Sequence, residues 1–268
     1  MIDKENDTVF TLFRNEKKPY KLGIYRKSKI VIPAAYQDII SYGDHYFYLY
    51  KSLEDAGQLM KINPKDNSHI VLPYELYGGT LSNGLQVFKK KGGLFGLVKN
   101  DTEIIFPFEY ESIDQFGSFI FCEKSDYKGM EIFDENLNKV QDMGIVKIET
   151  LSCIHNLLVA YKSNEDNEYD SDEIVGIMDY NLKWIAKYFN GVKNINDTDG
   201  HFVIIKRSEN KRNLLYGIIN KDGKEIIPPK YDFIEYQFNN DNLLKFREKQ
   251  GDETRLISLK ELLDKNKK

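Results

Sequence analysis

The chain has 268 residues, with 38 basic and 42 acidic side chains and a formal net charge of -4. A globular chain this long buries about 70 to 75% of its unfolded surface, and the near balance of charge argues against bulk attraction to nucleic acid or an anionic membrane. Its two cysteines, Cys122 and Cys153, show no metal-type pairing and fit a reducing compartment. The N-terminus has no basic start followed by an apolar segment, and no run of about 18 apolar residues occurs, so a cytoplasmic protein is expected.

In chain order, short apolar runs recur in groups of three. The first group is VFTLFR at 9–14, KLGIYRK at 21–27 and KIVIPAAYQDI at 29–39; the second is YFYLYK at 46–51, QLMKIN at 58–63 and HIVLP at 69–73. The third is LQVFKK at 85–90, LFGLVKN at 94–100 and EIIFPFEYESI at 103–113. A fourth group is degenerate, with FIFCEK at 119–124 and MEIFDEN at 130–136 but a poorly matched third run around Val140. The fifth is LLVAYK at 157–162, EIVGIMDYN at 173–181 and KWIAKYF at 183–189. The sixth joins FVIIKR at 202–207 to the clearest stretch of all, LLYGIINKDGKEIIPPKYDFI at 214–234.

In that stretch Asn220, Lys221, Asp222 and Gly223 separate two β-prone runs. Asp-Gly is a strong hairpin signal because Gly supplies positive φ without steric cost, so residues 215–219 and 225–227 should pair antiparallel. Pro228 and Pro229 lack donors and are expected to cut the ladder, with Tyr231 starting the next extended run. A partial seventh group, LLKFRE at 243–248, precedes a tail in which Ser258 and Glu261 have capping-box spacing, which predicts a short terminal helix at about 258–266.

The period of roughly 35 to 45 residues calls for a repeat architecture. The expectation is a single β-repeat domain over 1–268, with units at about 8–44, 45–83, 84–117, 118–153, 154–200 and 201–239 and a partial unit at 240–256. The first runs are almost continuously apolar, which indicates burial on both faces. The fold class is therefore all-β, an antiparallel array of about six to seven units. A β-propeller-like arrangement is favoured over an open β-solenoid because three or four antiparallel strands per period match a blade.

The hairpin followed by I-I-P-P-x-Y-D resembles the WG-repeat (KWG-repeat) proteins of bacteria. The Gly of the family's Trp-Gly pair matches Gly23, Gly96, Gly176 and Gly217, and the residue before it matches Leu22, Phe95, Val175 and Tyr216. The Pro and Tyr of the strand exit match Pro33 with Tyr36, Pro107 with Tyr110 and Pro228 with Tyr231. No unit has Trp at the pair, the sole Trp184 lies in a third run, and Met60 and Glu131 replace the Gly in the second and fourth units. The resemblance implies β-rich repeats with interaction roles and carries no catalytic residue set.

No nucleophile elbow, phosphate loop or dinucleotide fingerprint is present. His45, His155 and His201 fall at or near the starts of first runs, where a ring of units would align them along one rim, but no His-x-x-x-His or Cys-x-x-Cys spacing accompanies them. No metal and no cofactor are expected. The acidic insertion at 164–173 reads as a solvated loop, since the mid-loop Gly and terminal Glu of a calcium loop are missing.

One feature repeats in every unit: the first run ends in a cation, namely Arg14, Lys51, Lys89, Lys124, Lys162, Arg207 and Arg247. An aromatic precedes five of them, Phe13, Tyr50, Phe88, Tyr161 and Phe246. These seven are the candidate binding residues for a protein partner of acidic character, with the acidic insertion poised to compete for them. Solubilised hairpin ends that protect strand edges are the alternative reading of the same residues. The primary expectation is a non-enzymatic interaction module, with a carbohydrate-active hydrolase or lyase using a carboxylate pair, or a small-ligand-binding protein, as alternatives.

Overall fold

The computed structural model describes residues 11–16, 18–26, 29–43, 45–52, 57–125, 129–162, 174–195, 200–208, 213–237, 243–248 and 254–265. The acidic insertion at 164–173 lies outside them. The protein is all-β and antiparallel, with one short helix, and it divides into two compact units, Met1–Asp114 and Gln115–Lys268.

The first unit begins with a three-stranded sheet, β1 (Thr11–Arg14), β2 (Leu22–Arg26) and β3 (Lys29–Tyr36), in that order. A four-stranded sheet follows, β4 (Asp38–Gly43), β5 (Tyr46–Tyr50), β6 (Gln58–Ile62) and β7 (His69–Leu72). Next come β8 (Leu76–Thr80), β9 (Gln86–Lys89), β10 (Phe95–Lys99) and β11 (Glu103–Phe116), each hydrogen-bonded to the next. The second unit holds the hairpin β12 (Phe119–Lys124) and β13 (Met130–Asp134), then the sheet β14 (Ile145–Ser152), β15 (Leu157–Lys162), β16 (Ile174–Asp179) and β17 (Trp184–Phe189). Its last sheet is a six-stranded meander, β18 (Gly191–Asn194), β19 (His201–Arg207), β20 (Leu214–Asn220), β21 (Glu225–Gln237), β22 (Leu243–Glu248) and β23 (Thr254–Ser258), followed by helix α1 (Leu259–Lys265).

The expected hairpin forms between β20 and β21, with Ile218 opposite Ile227 and Ile219 opposite Glu225. Its turn is closed by Asn220, whose side-chain oxygen accepts the Asp222 and Lys224 amides at 3.1 and 2.8 Å, while Gly223 takes φ 79°. The Ser258 hydroxyl accepts the Glu261 amide at 3.1 Å, so α1 carries the cap that its spacing predicts.

The first strands β5 and β15 are buried on both faces because successive side chains enter two different cores. Tyr46 and Tyr48 of β5 pack with Leu72, Tyr77 and Phe88, whereas Phe47 and Leu49 pack with Ile24, Ile32 and Ile39. In the second unit Leu158 and Ala160 of β15 join Phe121 and Met178, while Leu157 and Val159 join Phe202 and Ile204 of β19. Each Leu, Val or Phe among them contributes about 1.5–3 kcal/mol when fully buried, so one strand ties two cores together.

One expectation needs correction. The prolines do not end the strands: β3 runs through Pro33, β11 through Pro107, and β21 through Pro228 and Pro229. Instead the pairing skips. Leu22 faces Tyr36 but Ile24 faces Ile32, Phe95 faces Tyr110 but Leu97 faces Phe106, and Tyr216 faces Tyr231 but Ile218 faces Ile227. Two residues on one strand thus span four on the other, a bulge centred on the pair glycine and the proline.

That bulge explains the glycine. A Cβ on Gly23 would sit 2.6 Å from the Ile32 carbonyl oxygen, one on Gly96 2.9 Å from that of Phe106, and one on Gly217 2.6 Å from that of Ile227. In each case the oxygen belongs to the residue before the proline. Where Met60 replaces the glycine, β6 and β7 pair without a shift and β7 stops at Leu72, ahead of Pro73.

The strand after the tyrosine flanks the next first strand: β4 pairs with β5, and residues 233–237 of β21 pair with residues 243–247 of β22. Sheet and sequence repeat are therefore out of phase by one strand.

Candidate binding surface at the strand ends

The seven cations stand at or beside the ends of their strands but not in one register: Arg14 and Lys89 face the residue before the pair glycine, Leu22 and Phe95, whereas Lys162 faces Ile174 and Arg207 faces Leu214, one and two positions further out. Arg14, Lys89, Lys124, Lys162 and Arg207 are the last residues of β1, β9, β12, β15 and β19, Lys51 follows β5 directly, and Arg247 is the penultimate residue of β22. The side chain of Arg247 lies outside the described residues.

Among the described residues, three of these cations lie on aromatic rings. The Arg14 guanidinium is 4.3 Å from the centroid of Tyr20, the Lys89 ammonium 5.7 Å from that of Phe95, and the Lys162 ammonium 5.7 Å from that of Trp184, which also receives Lys187 at 4.8 Å. A cation over an aromatic face is steadied by the ring quadrupole, worth about 0.5–1 kcal/mol at an exposed site, and it keeps its full charge. Phe95 stands directly across from Lys89 and occupies the position of the family's Trp; Leu22 faces Arg14 in the same way.

Lys124 differs, because its ammonium is 3.0 Å from Glu131, which also holds Lys139 at 2.6 Å. Lys51 is exposed, and its carbonyl accepts the Lys21 ammonium at 3.0 Å. The Arg207 amide donates to the Asn190 side chain at 2.8 Å.

The aromatics that precede the cations do not share one role. Phe88 is fully buried among Tyr46, Tyr74 and Tyr77, Phe13 lies against Gly23, and Tyr161 donates its hydroxyl to Glu149 at 2.8 Å. Lys147 and Tyr161 together hold the Glu149 carboxyl below the usual carboxylate range. The rings beneath the cations, Tyr20, Phe95 and Trp184, come from second strands, third strands or connections. Sequence reading missed them because the pairing register decides who faces whom.

A second polar centre, also missed, sits inside the first unit. Asp101 accepts the Tyr46 hydroxyl, the Lys61 ammonium at 2.7 Å and the Gln86 side-chain amide at 3.1 Å, and its own amide donates to Gln86 at 2.9 Å. Lys61 also lies 4.9 Å from the Tyr46 centroid. The signal was available at the β10–β11 turn, where Asn100 and Asp101 both take positive φ, 52° and 68°, and an Asp stands where a glycine would be the easy choice. Burial, and secondarily the Asp101 charge, holds the Tyr74 phenol above its ordinary value.

Of the histidines, His45 takes φ 69° in a turn and His201 is a buried residue opening β19. His155 comes against Gly200, next to His201 in the chain, with its Nε2 buried. Among the described residues no group of three His, Cys, Asp or Glu side chains is placed to hold a metal, and no helix is long and apolar enough to cross a membrane.

Fold and strand ends together define an antiparallel β-repeat protein whose first strands terminate in cations. Residues 216–249 match the model of the WG containing repeat, the family whose motifs the chain resembles. The matched segment starts at the Tyr216–Gly217 pair, crosses the bulge and ends beyond the next first strand. No curated protein matches the chain. Among solved structures, Kuenenia stuttgartiensis hydrazine synthase aligns with 87% of this chain and 79% of its own at 11% identity and a TM-score of 0.32. A nidogen/laminin complex aligns with 94% and 89% at 10% identity and a TM-score of 0.29.

Proposed function

We propose that the protein is a non-enzymatic interaction module that recognises an acidic protein partner through the cations at its first-strand ends. The observation that supports this reading is the recurrence of a cation laid on an aromatic ring at the last residue of a first strand, in Arg14 over Tyr20, Lys89 over Phe95 and Lys162 over Trp184. Each ring fixes the cation without neutralising it, which leaves a positioned positive charge for a carboxylate to meet. Steering by such charges acts chiefly on association rate and falls with ionic strength.

The test is affinity capture from native cell extract with the wild-type chain and with a Lys89→Glu/Lys162→Glu variant, each across a salt series. A partner retained by the wild type, released by salt and lost from the variant supports the reading. Equal capture by both proteins at every salt concentration removes it.

A further inference from the structure

The two carboxyl oxygens of Asp101 keep different company. Oδ1 accepts the Tyr46 hydroxyl and the Gln86 side-chain amide, the latter at 3.1 Å, whereas Oδ2 meets the Lys61 ammonium at 2.7 Å. Gln86 is itself pinned: its oxygen accepts the Asp101 amide at 2.9 Å, and its nitrogen also donates to the Tyr46 hydroxyl at 2.9 Å. With Asp101 at φ 68° in the β10–β11 turn, the carboxyl group is held from the backbone and from the side-chain end at once.

The surroundings are apolar. Tyr46 is 1% exposed, stacked on Tyr77 at 4.1 Å between ring centroids and set edge-to-face with Phe88 at 5.8 Å. The side chain of Asp101 is 12% exposed and that of Lys61 30%. The ion pairs Lys147–Glu149 and Lys221–Asp222 are far wetter, at 48 and 50% and at 48 and 67%. Drawing an ion pair away from water carries a desolvation cost that can exceed the attraction between the charges. Joining the two groups as a neutral amide removes that cost and leaves both hydrogen bonds on Oδ1 in place.

We propose that Lys61 and Asp101 close into an intramolecular isopeptide bond, with Tyr46 and Gln86 as the catalytic donors on Oδ1. The Lys61 ammonium first passes a proton to Oδ2. The freed amine attacks Cγ, the Nζ–Cγ bond forms, and the charge that develops on Oδ1 is received by the Tyr46 hydroxyl and the Gln86 amide, which already point at that atom. A second proton then passes from Nζ to Oδ2, the Cγ–Oδ2 bond breaks, and Oδ2 leaves as water through the exposed Lys61 end. Of the three ammonium protons one stays on the amide and two leave with the water, with no change in oxidation state and no co-reactant. Folding supplies the proximity that free side chains lack in water. Both protons move within the pair itself, which makes closure slow relative to folding, so freshly purified chain holds the ion pair and the amide accumulates with time. The product staples β6 to the β10–β11 turn, and thus one sheet of the first unit to the next.

The experiment is intact-mass spectrometry of the full chain, sampled from purification through prolonged incubation at neutral pH, with tandem mass spectrometry of a protease digest. The expected result is a growing species lighter than the sequence mass by one water, and a branched peptide that joins the Lys61 and Asp101 fragments. Lys61→Arg keeps the charge and should retain the full mass throughout. Tyr46→Phe removes one donor from Oδ1 and should slow the loss about tenfold or more; if its circular dichroism is not native, Gln86→Met carries the same comparison. A wild-type chain that keeps its full mass overturns the proposal. Water loss that persists in Lys61→Arg overturns it too, since that loss belongs to a succinimide of the kind an Asp-Gly pair such as Asp222–Gly223 forms. An unchanged rate in a natively folded donor variant overturns the role given to Tyr46 and Gln86.

Discussion

Replacing Gly217 by alanine isolates the steric demand of the bulge. The glycine sits in a strand without positive φ, so a side chain would ordinarily gain about 0.5–1 kcal/mol from reduced freedom of the unfolded chain. Here the added methyl would stand 2.6 Å from the Ile227 carbonyl oxygen, 2.8 Å from the Pro229 nitrogen and 3.0 Å from the Pro228 carbonyl carbon. All three are backbone atoms, and two belong to prolines whose φ is fixed, so relief requires the strand to move. Overpacking of this kind costs about 1–3 kcal/mol, and Gly217→Ala belongs at the upper end, about 3 kcal/mol, or roughly 6–12 °C in Tm for a chain of this size. Gly96→Ala is the matched comparison. Its methyl meets the Phe106 oxygen at 2.9 Å and then only ring atoms of Phe108 at 3.1 Å, so about 1 kcal/mol is expected. Equilibrium urea unfolding by far-UV circular dichroism, with Trp184 fluorescence as a probe of the second unit, measures both. Equal losses, or a Gly217→Ala protein as stable as the wild type, would refute the account of why the motif needs glycine.

Four further outcomes follow from the same geometry. Asp101→Ala strips partners from Tyr46, Lys61 and Gln86 at once and should cost about 2–3 kcal/mol, against about 1 kcal/mol or less for Lys61→Met at the half-exposed end; similar losses in urea titrations would contradict the assignment of Asp101 as the hub. Gly176→Ala forces the Trp184 ring off its seat, so the emission of this sole tryptophan should shift while stability falls less than for Gly217→Ala, and an unaltered spectrum would argue against that contact. Ser258→Ala removes the α1 cap and should cost about 1 kcal/mol, seen as faster amide exchange over residues 259–265. Burial raises the phenols of Tyr42, Tyr48 and Tyr74 above their ordinary value. Their contribution to stability is therefore complete below pH of about 10, where unfolded tyrosine ionises, and is lost as pH climbs through the folded-state values; stability rising over that range, with phenolate absorbance as the monitor, would contradict it.

Features encoded by neighbouring residues were legible in the sequence. The Asp222–Gly223 turn, the continuous apolar first strands and the Ser258 cap each depend on a few adjacent positions, and each is present. Features that depend on distant pairing were hidden. Gly217 is needed because of a carbonyl ten residues on, and its meaning appears only once the bulge register is known. Tyr46 and Asp101 meet across 55 positions, and nothing in the composition of either run announces the bond. The cations were visible as a pattern, but the rings beneath them were not, since Trp184 belongs to a third strand and Tyr20 to a connection.

The offset between sheet and repeat bears on how such a chain can change its length. Because a copy followed by another supplies the strand that flanks it, excising or duplicating one whole period leaves a flanking strand at the new junction. Gain or loss of a whole copy within the array is thereby compatible with the pattern of strand pairing.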